Sequence, residues 1–289
     1  MTTTGRWSGY AFVGPFLALY AMLLILPLIM GIVISFHRAD LFGARLWVGL
    51  DNYVRLAGDP IFHQALLNTF LLTVLIVPAL TALTLALALA LNRATRGAAI
   101  FRGLFFSSSV LSVTIVTLIW RFVLTPDAGL VAKLLALFGV EPIPFLSDPA
   151  LTIPALAITT IWWSIGLPMM LFLAGLQQVP GDLYEAAALD GARRWTTLRR
   201  ITLPSIRRTT IIVVMLQTAA QLQIFGQAQL LTSGGPSGAS RPVVLFIYEV
   251  AFGRWELGYA TAAAEVLFLL VLGVTALQYW VTGREDKSQ

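Results

Sequence analysis

Residues 182–204 read DLYEAAALDGARRWTTLRRITLP, a polar stretch that lies between two long apolar segments of the chain. It contains Glu185-Ala186-Ala187, then Gly191, and it ends with Ile201-Thr202-Leu203-Pro204. Arginine recurs within it and just after it, at Arg193, Arg194, Arg199, Arg200, Arg207 and Arg208. A polar, helix-forming loop in an otherwise apolar chain must be stabilised by some interaction. We favour contact with a partner protein on the cytoplasmic side.

The local sequence of this loop predicts two short helices joined at a glycine. Asp182 is a natural N-cap, and Glu185 three positions later completes a reciprocal capping pair. Gly191 permits a tight turn or a close backbone approach. A second helix is predicted from Arg193 to Ile201, where Leu203-Pro204 stops it. Such a compact pair of helices suits insertion into a groove on another protein.

The composition around the loop is that of a membrane protein. The 289 residues are 58% hydrophobic and 11% charged, with a mean hydropathy of +0.83, whereas soluble domains carry about 25% charged residues. Cysteine is absent and His37 and His63 are the only histidines, which disfavours thiol catalysis and a zinc or haem site. The net charge of +5 comes from arginines in loops between apolar segments. That pattern indicates membrane topology rather than a nucleic-acid-binding face.

Apolar segments of roughly 20 residues, the length that crosses a bilayer, predict an all-α membrane protein with six transmembrane helices. The predicted helices cover about 10–36, 66–91, 104–124, 151–176, 209–231 and 257–281. Arginine and lysine are more frequent in the connections on the side of the two termini. By the positive-inside rule we therefore expect both termini in the cytoplasm and the loop 178–208 on the same side.

The loop resembles the EAA motif of binding-protein-dependent ABC importers, in which Glu-Ala-Ala, glycine and a terminal Ile-x-Leu-Pro keep a fixed spacing. Weaker matches are spread along the chain, at 49–53, 68–69, 119–122, 173–176 and 231–236. Together they cover roughly residues 8 to 282 and are similar to the carbohydrate-uptake branch. Within that branch, the chain resembles the maltose- and glycerol-3-phosphate-type permeases and, of the two permeases in such systems, the first.

The resemblance implies one permease domain over residues 1–289 with the type I ABC importer fold, in the inner membrane of a bacterium or archaeon. It implies as partners a second homologous permease, two ATP-binding subunits and an extracytoplasmic solute-binding protein, which the outer loops 37–65 and 233–256 would face. It also implies that the loop 178–208 docks on the ATPase. The implied coupling residues are Glu185, Ala186, Ala187, Asp190, Gly191, Ile201, Leu203 and Pro204.

No Gly-x-x-x-x-Gly-Lys-Ser/Thr phosphate loop occurs in the sequence. We therefore expect ATP and Mg²⁺ to bind to the partner ATPase, and this chain to be a transport subunit rather than an enzyme, with no catalytic residue and no metal site of its own.

The fifth predicted span is rich in glutamine, and Gln217, Gln221, Gln223 and Gln227 are its candidate substrate residues. On a continuous helix, Gln217 and Gln221 share one face, and Gln223 and Gln227 share another. Amides donate and accept hydrogen bonds together, as sugar hydroxyls require. The alternative is that the glutamines bond neighbouring helices and hold two permeases together. The related permeases more often have Phe-Asp where this chain has Phe225-Gly226.

Glu265 lies near the middle of the sixth predicted span, where a charged group is costly. It binds a substrate hydroxyl or amine, or it is a protonated donor to a glutamine, and we favour the structural role. Two other classes of protein fit less well. A secondary transporter needs ion-coupling acids and commonly shows repeats, and a membrane enzyme needs clustered polar side chains near one membrane face.

Overall fold

The computed structural model describes residues 13–40, 42–126 and 128–283, and every structural statement below refers to these residues. The predicted start of the first span at residue 10 and the basic residues near the two termini, Arg6, Arg284 and Lys287, lie outside them.

The described chain is mostly helical. Its helices are α1 (Val13–Ser35), α2 (Asp51–Ala57), α3 (Pro60–Leu91), α4 (Arg96–Val110), α5 (Val113–Leu124), α6 (Leu130–Ala136), α7 (Pro149–Ser164), α8 (Gly166–Gln177), α9 (Gly181–Leu189), α10 (Arg194–Thr197), α11 (Arg207–Leu222), α12 (Gly226–Leu231), α13 (Val243–Gly253) and α14 (Leu257–Gly283). After α10 the chain continues as a π-helical turn, Leu198–Thr202, and a short helix, Leu203–Ser205.

A small antiparallel hairpin accompanies the helices. Strand β1 (His37–Ala39) pairs with β2 (Arg45–Trp47), with His37 opposite Trp47. The side chain of Asp40 orders the connection, because its Oδ1 accepts the backbone N–H of Phe42 at 2.9 Å and that of Ala44 at 3.0 Å. Strands of three residues are too short to show an alternating pattern in the sequence.

Three helices, α1, α3 and α14, are long and apolar enough to cross a membrane, and the number rises to five if each of two bent pairs is one span. The third predicted span is the pair α4–α5, bent by 102°, and the fourth is the pair α7–α8, bent by 49°. The fifth corresponds to α11 and α12. Helix α11 ends at Leu222 after 16 residues. The third, fourth and fifth predicted spans are therefore each built from two helices.

The chain divides into two compact units. The first comprises Met1–Phe62 and Phe246–Leu270, and the second His63–Leu245 and Val271–Gln289. The divisions fall within α3, α13 and α14 rather than in polar linkers. No change of composition therefore marks them in the sequence.

In the first unit, a buried asparagine joins the end of α1 to α2. Asn52 donates from Nδ2 to the backbone oxygens of Ser35, at 2.7 Å, and His37, at 2.9 Å. These carbonyl groups lie at and just after the end of α1, where no N–H group of the same helix is available to them. The exposed surface of α1 itself is apolar, and none of its most hydrophobic window is buried within the chain. Lipid or another subunit must cover it.

Asp59 sets the start of α3 six residues before the predicted span. Its Oδ1 accepts two backbone N–H groups of the first turn, that of Ile61 at 2.8 Å, and its Oδ2 accepts the hydroxyl of Tyr259 at 2.7 Å. Burial opposes ionisation of Asp59, but these hydrogen bonds and the charge of Arg254 together hold the pKa of its carboxyl below the ordinary value. The capped helix then runs for 32 residues.

In the second unit, the breaks of the two bent pairs bond to each other. Trp163 donates its indole N–H to the backbone oxygen of Leu111 at 3.0 Å. Ser109 donates its hydroxyl to the backbone oxygen of Trp163 and accepts the N–H of Gly166, both at 3.0 Å. These contacts supply partners for backbone groups that lipid would leave unsatisfied.

Gly166 permits the close approach at this joint, so its replacement tests the arrangement. A Cβ there would lie 2.6 Å from Ser109 Oγ and 2.8 Å from Phe106 Cα. We expect Gly166→Ala to destabilise the purified protein by roughly 1–3 kcal/mol, as overpacking does, measured as a lower Tm. Gly103→Ala in α4 is the control, because no atom lies within 4 Å of its added Cβ. Equal Tm values for the two variants would contradict the joint.

Candidate functional site

The turn between α9 and α10 is a Schellman motif centred on Gly191. Gly191 has φ +69°, and its N–H donates to the oxygen of Ala188 at 3.1 Å, while that of Ala192 donates to Ala187 at 2.9 Å. These bonds satisfy the last carbonyls of α9. No atom lies within 4 Å of an added Cβ, so within this chain the glycine serves the tight turn rather than a close approach.

Two local predictions about this loop are wrong. Helix α9 begins at Gly181, two residues before the predicted first helical residue, and its N-cap is Pro180, with no side-chain cap. Asp182 lies inside the first turn, and the predicted capping pair with Glu185 is absent. The second helix also does not stop at Leu203-Pro204. A π-helical turn precedes Pro204 and accommodates its missing N–H, so helical structure continues to Ser205.

The loop is anchored to the apolar helices beneath it. Tyr184 in α9 and Thr202 share a hydrogen bond between their hydroxyls at 3.2 Å. Ile206 is buried in a cluster that also contains Phe172 in α8 and Val213 in α11, and Leu203 packs against that cluster. The loop therefore cannot shift without moving the ends of both helices.

Helices α8 and α11 approach each other closely beneath the loop. A Cβ on Gly175 would lie 2.5 Å from Thr209 Oγ1 and 3.1 Å from Thr209 Cβ. Such contact leaves no room for the helices to slide independently, because packed interiors deform little.

The outward surface of the loop carries large apolar side chains. Leu189 is 90% exposed and Trp195 is 67% exposed, in a segment that is otherwise polar. Exposed apolar groups of this kind mark contact surfaces. The sequence-based list of coupling residues omits both. Two large apolar residues in an arginine-rich loop could have indicated an exposed contact surface.

The structure places the predicted coupling residues in two groups. Those on the outward surface are Glu185, Ala186, Asp190, Gly191 and Pro204, which are exposed. Those turned toward the supporting helices are Ala187, Ile201 and Leu203, which are buried or half-buried.

The glutamines of α11 and α12 divide differently from the prediction. Gln217 and Gln221 are both buried, and the Gln221 amide donates to Gln217 Oε1 at 3.4 Å. Gln223 is exposed and donates to the backbone oxygen of Ala219 at 3.1 Å, whereas Gln227 is buried. Because the helix breaks between them, Gln223 and Gln227 do not share a helix face.

Gly226, where the family resemblance leads us to expect aspartate, is closely packed here. A Cβ on Gly226 would lie 3.0 Å from Val113 Cγ2. Helix α12 therefore packs against α5 at this point, and an acidic side chain would have to displace that valine.

Glu265 is half-buried in α14, opposite a glycine of α1. An added Cβ on Gly31 would lie 3.2 Å from Glu265 Oε1, so the glycine makes space for the carboxyl group. Among the described residues, Glu265 has no hydrogen-bond partner, and the alternative of a bond to a glutamine does not occur there. The same part of the chain contains no cluster of three or more side chains arranged to hold a metal ion.

Known proteins resemble the chain in sequence and in fold. The family described as binding-protein-dependent transport system inner membrane component matches residues 82–287. The trehalose/maltose transport system permease protein MalF of Thermococcus litoralis is 31% identical, over 96% of this chain and 93% of the relative. The lactose transport system permease protein LacF of Rhizobium radiobacter is also 31% identical, over 99% of this chain and 100% of the relative.

A solved structure has the same fold. The crystal structure of a bacterial alginate ABC transporter, in complex with a periplasmic protein that holds an alginate pentasaccharide, contains a chain with a TM-score of 0.87 and 24% identity. The match covers 98% of this chain and 96% of that one. The resemblance drawn from the EAA motif is thereby confirmed. The chain belongs to the binding-protein-dependent transport system inner membrane components, and it is the membrane permease of an ABC importer rather than the subunit that hydrolyses ATP.

Proposed function

We propose that this permease moves a saccharide or related polyol that an extracytoplasmic solute-binding protein delivers. A second homologous permease and two ATP-binding subunits complete the importer. The support for the substrate class is that both curated relatives are named for the transport of disaccharides. The buried amides of Gln217 and Gln221 agree with it, because they can both donate to and accept from hydroxyl groups.

The loop 178–208 is the proposed coupling element, with the eight residues named from the motif and the exposed Leu189 and Trp195. The observation that carries this proposal is an exposed, partly apolar surface on a loop that is anchored to α8 and α11. An ATPase cleft that closes on this surface would push a loop that is anchored to α8 and α11 and closely packed beneath at Gly175.

Helix α11 connects the loop directly to the proposed substrate path. It begins at Arg207, and Gln217 lies ten residues further on, which is about 15 Å along a helix. A displacement of the loop therefore reaches the amides of Gln217 and Gln221 through one continuous helix. Gln223, Gln227 and Glu265 complete the proposed set of substrate-path residues.

Replacement of Gly191 tests whether its left-handed backbone orders the loop. We expect Gly191→Ala to cost roughly 1 kcal/mol and to speed hydrogen exchange at the Ala192 amide roughly fivefold. Gly191→Asn should cost less, because asparagine tolerates this region. Gly181→Ala is the control, since its surroundings are open. Unchanged exchange in Gly191→Ala would contradict the role of the turn.

Replacement of Glu185 and Leu189 by alanine tests the coupling surface. Both side chains are exposed in this chain, so their loss should leave its fold intact. In the reconstituted complex we expect saccharide-stimulated ATP hydrolysis and import to fall roughly 10- to 30-fold, as for the removal of interface hot spots. Glu141→Ala, at an exposed position in a predicted outer loop, should have no effect. Full transport by both loop variants, with the subunits assembled, would refute coupling through this surface.

Gln221→Leu distinguishes a substrate contact from an interhelical bond. If the amide binds substrate, the KM for import of maltose or lactose should rise roughly five- to tenfold through one lost hydrogen bond, while the complex still assembles. Gln229→Leu is the matched control in α12. If Gln221→Leu instead prevents assembly with the second permease, the amide has the structural role.

A further inference from the structure

The first unit contains a cavity of about 660 Å³ that the proposed substrate path does not use. The hairpin β1–β2, helix α2 and the residues that begin α14 form its walls. Its size lies in the range of roughly 300–1,000 Å³ typical of small-molecule sites. The arginine distribution of the sequence predicts that these segments lie on the extracytoplasmic side.

Trp255 lines this cavity in a backbone conformation that glycine would favour. Its φ is +62°, and it is 49% exposed. Backbone bonds hold the residues on both sides, from Arg254 N–H to Glu249 at 3.0 Å and from Glu256 N–H to Val250 at 3.1 Å. A large L-residue in a left-handed conformation is strained, and strain of this kind concentrates at functional positions. The backbone alone would favour glycine here. The indole packs against Phe42, with ring centroids 5.8 Å apart, and the part of it that remains exposed lines the cavity.

The polar groups of the cavity carry balanced charge. Its basic side chains are Arg38, Arg45 and Arg55, and its acidic ones are Asp40, Asp51 and Glu256. Within this set, Arg55 and Glu256 form an ion pair at 2.8 Å. The balance favours a neutral ligand over an anion or a cation. Planar guanidinium and carboxylate groups also bind paired hydroxyls, since they offer adjacent donors or acceptors.

We propose that this cavity is a second saccharide-binding site, which holds a sugar at the extracytoplasmic face as it passes from the binding protein to the permease. The indole of Trp255 stacks on the apolar face of a sugar ring, and the charged groups bind its hydroxyls. The proposal rests on the saccharide substrate proposed above. It concerns residues of the first unit alone, separate from the glutamines of α11 and α12.

Trp255→Gly is the decisive variant, because glycine suits the backbone at φ +62° and the protein should remain folded without the indole. Ser237→Gly is the matched control. Ser237 also has a positive φ, of +49°, and does not line the cavity. Binding of radiolabelled maltose, trehalose and lactose would be measured by equilibrium dialysis with the complex in lipid nanodiscs, without binding protein. We expect binding by wild type and Ser237→Gly, and binding about tenfold weaker by Trp255→Gly, as for the loss of an aromatic stack.

The affinity of the complex for its binding protein is measured in parallel and should not change in Trp255→Gly. The proposal is overturned if that affinity falls while saccharide binding does not, because the surface would then contact protein. It is also overturned if wild type binds none of the three sugars, since the site is argued to recognise the ring and its hydroxyls in general. Import by wild type without binding at this cavity would refute this site alone, whereas failure to import any saccharide would refute the proposed function.

Discussion

A helix that breaks within a membrane leaves backbone groups that lipid cannot hydrogen-bond, and the second unit satisfies this constraint by pairing its two breaks. The indole of Trp163 donates to the carbonyl of Leu111. The hydroxyl of Ser109 bonds to the backbone of Trp163 and of Gly166, on either side of the break between α7 and α8. Because α8 starts at this joint and carries Gly175 near its far end, the same contacts fix the helix beneath the proposed coupling loop.

In the proposed coupling, the loop contributes stiffness rather than any chemical group. Each connection from the outward surface to α11 is short-range: the turn at Gly191, the Tyr184–Thr202 hydrogen bond and the packing of Leu203 and Ile206. A flexible loop would absorb the displacement imposed by a partner, because a segment with few buried contacts opens at little cost. The loop thus joins an exposed apolar surface to buried amides without an intervening hinge among the described residues.

The sequence predicted the class of fold and the family, because long apolar segments and a spaced motif are local signals. It could not predict that the third, fourth and fifth spans break. The pairing that satisfies the α4–α5 and α7–α8 breaks depends on residues 50 or more positions apart, such as Ser109 and Trp163. The assignment of Gln223 and Gln227 to one face failed for the same reason, since it assumed a continuous helix. The strained Trp255 has no sequence signature at all, because tryptophan is ordinary at membrane interfaces.

The first unit also indicates which surface of the permease cannot face lipid. Helix α1 is apolar throughout, and lipid would suffice to cover most of it. At Gly31, however, the helix yields space to the carboxyl group of Glu265, which has no recorded partner among the described residues. A carboxyl group in contact with hydrocarbon alone is costly, whether charged or neutral. The side of α1 and α14 at Gly31 and Glu265 must therefore meet water or another polar surface rather than lipid alone.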